Sequence, residues 1–298
     1  MVETRSLSVQ SVLFNNAPQD ISRAGLALAN SVSWARQAGL VGDWTLHLGD
    51  CSDVPVFDDG HLAELLSAVT QVGGRLDHTV FGRNLGSAAG HNALATRSTS
   101  DLLLILNPDA KLAPDAVTAL ARRVDGTVGM AEARQVPLEH PKDFRQSDGV
   151  TSWASTAAAL TTRAAFDKVG GFDSATFFLY CDDVDYSWRL RLAGLDIVYE
   201  PAAAVFHDKR LTVTGDWPAG SAEVYYSAEA ALLLAYKYSR PDLVRDISLR
   251  FKKNGEPLAR KALAEFERRR AAGELPDQID HMHKVGQFVG GNYAKHRF

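Results

Sequence analysis

The residues of this chain best suited to chemistry are carboxylates that follow apolar runs. Leu102–Leu106 is one such run, and it stops at Asn107, Pro108 and Asp109. Five consecutive large aliphatic residues predict a strand buried on both faces, and the proline cannot continue its ladder. Asn107 and Asp109 are therefore expected at the carboxyl end of a central strand, where open α/β sheets bind ligands. The alternative is that these residues only form a turn before a helix that begins near Pro114.

A second acidic group follows the aromatic and apolar run 177–180. Asp182, Asp183 and Asp185 occupy three of four successive positions, and Arg189 comes six residues after Asp183. Acidic side chains suit the first turn of a helix, which explains one or two of these carboxylates. Three are explained less well, because crowded carboxylates raise one another's pKa. A carboxylate with a raised pKa in a cleft is what a general base requires.

His207 and the two cysteines are weaker candidates for a functional role than the carboxylates. His207 ends the short apolar run 203–207, a place where a lone histidine is more often packed or on the surface than a ligand. Cys51 and Cys181 are the only cysteines, too few for a disulfide framework or a thiolate metal site. We treat both as reduced residues without a role in the chemistry.

Alternating strands and helices must position these side chains. Strands are predicted over residues 8–14, 43–48, 75–81 and 102–106, with helices over 21–34, 62–72 and 87–96 between them. Asp20 is a candidate N-cap for the first helix. This rhythm predicts a parallel, doubly wound sheet. The polar residues at the four strand ends are Asn15, Asp50, Arg83, Asn84, Asn107 and Asp109.

A ligand as large as a nucleotide would span several of those strand ends. Neither GxGxxG nor GxxxxGK[ST] is present, so a dinucleotide fingerprint and a P-loop are both excluded as the basis of the site.

The second half of the chain has a different pattern. Strands are predicted over 128–131, 153–160, 196–200 and 203–207, with Pro201 stopping the third of them. The polar loop 140–148 is of the kind that lines an acceptor cleft. Helices are predicted over 222–238 and over 258–272, the latter between Pro257 and Gly273.

Composition indicates a globular chain with an uneven charge distribution. Of 298 residues, 46% are hydrophobic and 23% charged, which fits one large α/β domain with an appendage. No signal-peptide pattern and no apolar run of membrane-spanning length is present, so we expect a cytoplasmic protein. The segment from Lys237 onward contains 14 Lys and Arg and 8 Asp and Glu, so its net charge is +6, whereas the preceding part of the chain has a net charge of −10. Such a tail could approach an anionic membrane or a phosphate-bearing substrate, or could simply be a solvated helical face.

Several of these segments, in order, resemble the family 2 inverting glycosyltransferases of the GT-A fold. The similarity covers roughly residues 8–207. The segments that carry it are Phe14-Asn15, Gly49-Asp50, Arg83-Asn84-Leu85-Gly86 with Ala89-Gly90 and Asn92, Leu106-Asn107-Pro108-Asp109, Val169-Gly170-Gly171-Phe172-Asp173, Tyr180-Cys181-Asp182-Asp183-Val184-Asp185 with Arg189, and Val205-x-His207.

The resemblance implies an α/β fold, with a Rossmann-like, mostly parallel sheet flanked by helices and a C-terminal helical extension. We predict a GT-A domain over residues 1–210, with a nucleotide-sugar half of about 1–110 and an acceptor half of about 111–210. The helical extension would cover 211–298.

The resemblance also implies a role for each matching residue. Asp183 would be the catalytic base, and Asp109 with His207 would hold Mg²⁺ or Mn²⁺. The donor would be bound by Phe14, Asn15, Asp50, Arg83, Asn84, Asn107 and Asp109. The acceptor side would comprise Trp153, Asp182 and Arg189.

This chain departs from the family pattern in three places. The metal motif lacks its first Asp, so Asp109 would be the main carboxylate ligand, helped by diphosphate oxygens and His207. The usual Glu-Asp pair is Asp182-Asp183, which shortens the neighbour of the base. The processive Gln-x-x-Arg-Trp motif and transmembrane helices are both missing, which favours addition of a single sugar.

The Asn-Pro-Asp form and the Asp-Val-Asp segment look most like rhamnosyltransferases that use dTDP-rhamnose, with UDP-sugars as the alternative donors. The acceptor would be a glycan or a polyprenyl-diphosphate sugar, and no nucleic acid is implied. The C-terminal helices would dock on a membrane surface or form a homodimer. Two rival hypotheses are a nucleotidyltransferase, which should show a Gly-rich basic loop after the first strand, and a non-catalytic relative that binds sugar nucleotides.

Overall fold

The computed structural model describes residues 4–140, 142–207 and 220–294. One mixed β-sheet lies between two layers of helices, and further helices follow it in the chain. The strands are β1 (Arg5–Leu13), β2 (Val41–Asp50), β3 (Gly74–Val80), β4 (Leu102–Leu106), β5 (Ala110–Leu112), β6 (Val128–Val136), β7 (Val150–Thr151), β8 (Ala158–Thr162) and β9 (Asp196–His207). The helices are α1 (Pro18–Gln37), α2 (Asp59–Gln71), α3 (Gly86–Ala95), α4 (Ala116–Arg123), α5 (Arg163–Lys168), α6 (Asp182–Leu192), α7 (Ser221–Lys237), α8 (Pro241–Asn254) and α9 (Pro257–Ala272).

The sheet has the strand order β3-β2-β1-β4-β8-β6-β9-β5, with β7 paired to β9. The first four strands are parallel, as predicted, and β6 is parallel to β9. β8 is antiparallel to both β4 and β6, and β5 is antiparallel to β9. The carboxyl ends of β1 to β4 therefore meet at one edge, which is where the predicted donor-binding residues lie.

Strand β4 is the centre of the core, as its sequence predicts. Leu102, Leu104 and Leu106 pack on one face against α1, α2 and α4. Leu103 and Ile105 pack on the other face against α3, α5 and α6. Because successive side chains of a strand point to opposite faces, an unbroken apolar run is required at this position.

Three local predictions are wrong. Asp20 lies in the first turn of α1, and the N-cap is Ala17. The strand expected from Trp153 begins only at Ala158. Pro201 does not end a strand, because β9 continues past it and the register with β6 shifts between the pairs Ala133–Glu200 and Arg134–Ala204. The proline thus lies in a bulge, where a missing N–H donor costs no ladder bond.

The C-terminal helices are packed against the preceding part of the chain. Buried residues of α7, α8 and α9 share one apolar cluster with Trp153, Phe177 and Trp188. The domain boundary predicted at residues 210 and 211 lies outside the described residues, so the division into domains stays a prediction.

A buried ionic network joins α7 to α6. The Lys237 ammonium lies 2.6 Å from Asp185 Oδ1 and 2.7 Å from Asp173 Oδ2. The Tyr238 hydroxyl donates to Asp185 Oδ1 at 3.2 Å, and Asp185 is fully buried. This network fixes the end of α7 relative to α6, whose acidic first turn contains Asp182, Asp183 and Asp185.

Candidate active site

A cavity of about 350 Å³ opens at the carboxyl end of the parallel strands. Five of the residues predicted from the sequence line it: Phe14, Asn84, Asn107, Asp109 and His207. They come from the ends of β1, β4 and β9 and from the loop before α3. Residues almost 200 positions apart thus meet at one site, which is the pattern expected for a ligand pocket of an α/β sheet.

The two predicted metal ligands are neighbours in this cavity. Strand β5 pairs with the end of β9 so that Ala110 lies opposite His207, which brings Asp109 to the imidazole. His207 Nε2 is 3.4 Å from Asp109 Oδ1 and 3.3 Å from Asn107 Nδ2. The pairing of β5 with β9 thus places the Asn107-Pro108-Asp109 segment beside His207.

Hydrogen bonding on the far side of the imidazole sets its tautomer. His207 Nδ1 lies 3.2 Å from Gln135 Oε1, an acceptor, and so carries the hydrogen in the neutral ring. Nε2 then presents a lone pair toward Asp109 and Asn107. This is the orientation that a metal-binding histidine needs, with its other nitrogen held by a second partner. No group of three or more His, Cys, Asp or Glu side chains suited to a metal occurs in the part of the chain that the structure describes.

Asp50 does not reach the cavity. Its carboxylate is fully buried, and it accepts the backbone N–H of Ser52 at 3.0 Å and of Val56 at 2.8 Å. The Ser52 hydroxyl in turn accepts the backbone N–H of Asn15, whose φ of 54° is left-handed. In this structure Asp50 therefore holds the loop that follows β2, and it has no exposed surface with which to contact a donor directly.

The loop between β3 and α3 carries the two remaining donor-side residues. Arg83 is exposed and lies outside the lining of the cavity. Asn84 lines the cavity, and its Oδ1 accepts the backbone N–H of Gly86 at 3.0 Å. This bond orders the loop at the point where α3 begins.

Asp182 and Asp183 begin α6, as the sequence predicts. Asp182 is 4% exposed, and its Oδ2 has no hydrogen-bond partner in the described parts of the chain. Burial, followed by the charge of Asp183, raises the pKa of Asp182 to about 7. Asp183 is half-buried, and its Oδ1 accepts the backbone N–H of Val184 at 2.8 Å. The more accessible of the two carboxylates is thus Asp183.

Replacing Asp182 by asparagine should change stability in a pH-dependent way. Between pH 3.8 and about 7 the unfolded chain releases the Asp182 proton while the folded chain retains it, so wild-type stability falls as pH rises through that window. Asparagine does not titrate, so the difference in melting temperature, variant minus wild type, should grow between pH 5 and pH 8. An equal difference at both pH values would contradict the buried, protonated state, and Asp167→Asn on the exposed side of α5 is the control.

Arg189 and Asp185 have a structural role that the sequence did not reveal. Arg189 donates to Asp185 Oδ2 at 2.7 Å and to the carbonyls of Val169 and Gly171 at 2.6 and 2.7 Å. The predicted acceptor-side position of Arg189 is therefore not what the structure shows. Arg189 thus holds the Gly-Gly turn against α6. Its ion pair with Asp185 accounts for the third carboxylate in the first turn of α6.

Trp153 also lies away from the cavity. It is 2% exposed and belongs to the apolar cluster under α7, α8 and α9. The Lys142 ammonium lies 3.9 Å from the centre of its ring, and Tyr293 packs edge-on against it at 5.3 Å. The predicted acceptor-side role is thus replaced by a core position.

The structure adds cavity residues that the sequence did not single out. His91 on α3 lines the cavity, and burial lowers its pKa to about 4, so it is neutral near pH 7. Phe178, Ala222 and Tyr226 line the wall nearest α7. The Gly-rich start of α3 and the aromatic run before α6 were visible in the sequence, but nothing there indicated that α7 contributes to the site.

Comparisons with known proteins find glycosyltransferases among both the similar sequences and the similar structures. No protein-family model matches the chain. The sequence is 30% identical over 177 residues to N-acetylglucosaminyl-diphospho-decaprenol L-rhamnosyltransferase of Mycobacterium tuberculosis, a match that covers 47% of this chain and 56% of that relative. The chain thus spans little more than half the length of this curated relative.

Solved structures extend the likeness to almost the whole chain. Mannosyltransferase PcManGT from Pyrobaculum calidifontis, in complex with GDP-Man and Mn²⁺, superposes with a TM-score of 0.57 at 15% identity over 91% of this chain and 77% of its own. GalNAc-T7 with UDP, GalNAc and Mn²⁺ gives a TM-score of 0.63 at 12% identity, covering 95% of this chain and 57% of its own. At these identities the likeness establishes a shared fold.

Proposed function

We propose that this chain, which has the GT-A fold of these glycosyltransferases, is a metal-dependent inverting glycosyltransferase that moves one sugar from a nucleoside-diphosphate donor to an acceptor hydroxyl. The observation that carries the proposal is the meeting of Asp109 and His207 in a cavity at the carboxyl end of the sheet. The rhamnosyltransferase relative supports the same reaction class.

Asp109 and His207 would hold Mg²⁺ or Mn²⁺ together with diphosphate oxygens of the donor. A carboxylate oxygen and an imidazole nitrogen suit these ions, and two protein ligands leave positions for substrate and water. The Nε2 of His207, which carries no hydrogen in this tautomer and lies beside Asp109 Oδ1, fits this role. When bound, the ion would neutralise charge on the leaving diphosphate. PcManGT and GalNAc-T7 were both solved with Mn²⁺, which supports the use of a divalent ion.

Asp183 is the proposed catalytic base. An acceptor hydroxyl is a poor nucleophile, so a positioned carboxylate must take its proton as the oxygen attacks the anomeric carbon. The new carbon–oxygen bond forms as the bond to diphosphate breaks, and the electron pair leaves with the diphosphate. Attack opposite the leaving group inverts the anomeric configuration. Burial raises the pKa of Asp182 to about 7, so Asp182 would be partly protonated near neutral pH and would add less repulsion to the charge on Asp183 than an ionised carboxylate.

The donor proposed for the site is dTDP-rhamnose, with UDP-sugars as the alternative. The name of the Mycobacterium tuberculosis relative supports rhamnose as the sugar that is moved. Phe14, Asn84 and Asn107 line the cavity and would contact the donor. Asn15 and Asp50 would act by shaping the loop after β2, and Arg83 would approach from the rim.

The acceptor proposed for the site is a polyprenyl-diphosphate sugar, by analogy with the acceptor in that relative's name. The proposed place of action is then the cytoplasmic face of a membrane, with the basic C-terminal helices at its surface. On α8, Leu249 is 58% exposed and lies one turn before Lys252 and Lys253. Flotation with anionic and neutral vesicles at low and high salt would distinguish this contact from a homodimer, which predicts no salt-sensitive preference for anionic lipid.

Other basic residues of the C-terminal region are already paired within the chain. Arg268 binds Glu265 and Glu274, both at 2.7 Å, and Arg240 binds Asp242 at the same distance. No helix in the described ranges has both the length and the apolar character that a membrane crossing requires.

Replacing Asp109 by alanine should weaken dTDP binding about tenfold or more when Mn²⁺ is present. The variant loses the carboxylate that would share the ion with the diphosphate, while contacts to the nucleoside remain. Titration calorimetry with Mn²⁺ and with EDTA measures the effect. In EDTA, wild type and variant should bind dTDP alike, as should Asp115→Ala, the control at the start of α4. Equal wild-type affinity with and without Mn²⁺ would exclude the proposed metal role.

A further inference from the structure

The wall of the cavity nearest the C-terminal helices is aromatic. Phe178, from the segment before α6, and Tyr226, from the second turn of α7, both line the cavity and are half-buried. Their ring centres are 4.9 Å apart and their planes differ by 32°. The two rings therefore form a tilted pair, at a separation at which aromatic side chains attract one another. The roles proposed above for metal, donor and base use neither ring.

The position of Phe178 is fixed by the start of α3. The backbone N–H of Ser87 donates to the Phe178 carbonyl at 3.0 Å. Gly86 has a φ of +71°, and a Cβ at this position would collide with the same carbonyl and approach the ring. Glycine is thus required here both for its backbone conformation and for the close approach of the aromatic segment. These contacts fix the position of Phe178 in the cavity wall without the help of a ligand.

The aromatic pair is closely linked to the acidic start of α6. Ser87, whose backbone N–H binds the Phe178 carbonyl, is also one of the groups that lower the pKa of Asp182 against the effect of burial. Between them, Tyr180 and Cys181 have left-handed φ angles of 66° and 56°, which turn the chain sharply. Two successive non-glycine residues in this conformation are costly and mark a segment that the surrounding structure holds in place. The ring of Phe178 and the carboxylate of Asp183 therefore belong to one rigid turn.

Tyr226 is anchored to the same unit from the other side. Helix α7 ends at Lys237, whose ammonium is bound by Asp185 of α6. The buried face of α7 also belongs to the apolar cluster that contains Val184 and Trp188 of α6. Helix α7, which carries Tyr226, is thus packed against α6, which carries the proposed base.

We propose that Phe178 and Tyr226 form a platform on which the acceptor's reacting sugar ring stacks, so that helix α7 helps to set acceptor specificity. A pyranose has a face of polarised C–H groups, and the electron-rich face of an aromatic ring attracts it. The inference rests on the proposed function, because it assigns one more contact to the same site. The cavity residues proposed to contact donor and metal are Asn84, Asn107, Asp109 and His207, so the aromatic pair remains available to the acceptor. The segment that contains Phe178 leads directly into the helix start that carries the proposed base.

The test compares Tyr226→Ala with Tyr226→Phe, using dTDP-rhamnose and a GlcNAc-diphosphate that carries a short prenyl chain. Loss of the ring should raise the KM for this acceptor about tenfold, with the KM for donor changed less than about twofold. The phenylalanine variant keeps the ring and should behave like wild type. Trp34→Ala, which removes a half-exposed ring from α1, is the control and should leave both KM values unchanged. An unchanged acceptor KM in Tyr226→Ala, or an equal rise in donor KM, would overturn the platform.

A binding measurement separates this inference from the proposed reaction. Saturation-transfer NMR with free GlcNAc, in the presence of dTDP and Mn²⁺, should show contact with ring C–H protons in wild type and in Tyr226→Phe. The signal should be lost in Tyr226→Ala. If wild type shows the contact but transfers no sugar, the reaction proposal fails and the platform stands. If wild type transfers sugar and shows no contact, the platform fails alone.

Discussion

Replacing Asp183 by asparagine is expected to lower kcat about 100-fold or more while leaving donor affinity close to that of wild type. Asparagine keeps the size and the hydrogen bond to the Val184 N–H but cannot accept a proton from the acceptor hydroxyl. Loss of a general base has an effect of this scale. The rate of nucleoside diphosphate release in the presence of acceptor measures kcat, and calorimetry with dTDP and Mn²⁺ measures donor-site binding.

Two further variants define what that result means. Asp182→Asn should retain most of the activity, because Asp182 is buried and Asp183 is the carboxylate that is accessible to the acceptor. Asp167→Asn on α5, which is exposed, should match wild type. An active Asp183→Asn protein together with an inactive Asp182→Asn protein would transfer the role of base to Asp182.

Replacing Lys237 by alanine is expected to lower the free energy of unfolding by about 3–5 kcal/mol, the usual cost of removing one partner from a buried ion pair. Asp185 is fully buried, and its Oδ1 is the atom that the Lys237 ammonium approaches. Arg189 still pairs with Oδ2 in the variant, but the Oδ1 side keeps only the hydroxyl of Tyr238. Urea denaturation followed by circular dichroism measures the change.

Arg245→Ala is the matched control for this loss of a cation. Arg245 pairs with Asp246 on α8 at 3.1 Å, but the two side chains are 70% and 61% exposed. Exposed pairs of this kind contribute roughly 0–1 kcal/mol. If Lys237→Ala costs no more than Arg245→Ala, the buried network does not stabilise the contact between α6 and α7.

The fold class was predictable because the decisive signals are local. The unbroken aliphatic run Leu102–Leu106 predicts a strand covered on both faces, and the superposition on glycosyltransferase structures confirms the fold class. The mixed strand pairing in the second half of the chain could not be predicted, because the sequence of an apolar strand such as β8 does not show whether its neighbours are parallel or antiparallel. The prediction at Pro201 was wrong because a proline can mark either the end of a strand or a bulge within it.

The site was only partly predictable, for a related reason. Asp109 and His207 each follow an apolar strand, so their position at the edge of the sheet could be inferred. Whether a polar residue faces a cavity or a buried partner depends on residues far away in the chain. Arg189 is bound by backbone carbonyls 18 and 20 residues earlier, and Asp185 by Lys237. The spacing of residues in the sequence does not predict these contacts.

Transfer itself tests the central proposal most directly. The protein is incubated with Mn²⁺, the short-chain GlcNAc-diphosphate acceptor and, separately, dTDP-rhamnose, UDP-glucose, UDP-galactose and GDP-mannose. Mass spectrometry of the acceptor then follows the addition of sugar. We expect one deoxyhexose to be added from dTDP-rhamnose, with inverted anomeric configuration by NMR and no addition in EDTA. Release of dTDP without a glycosylated acceptor, or a product that retains the donor configuration, would contradict the proposed reaction.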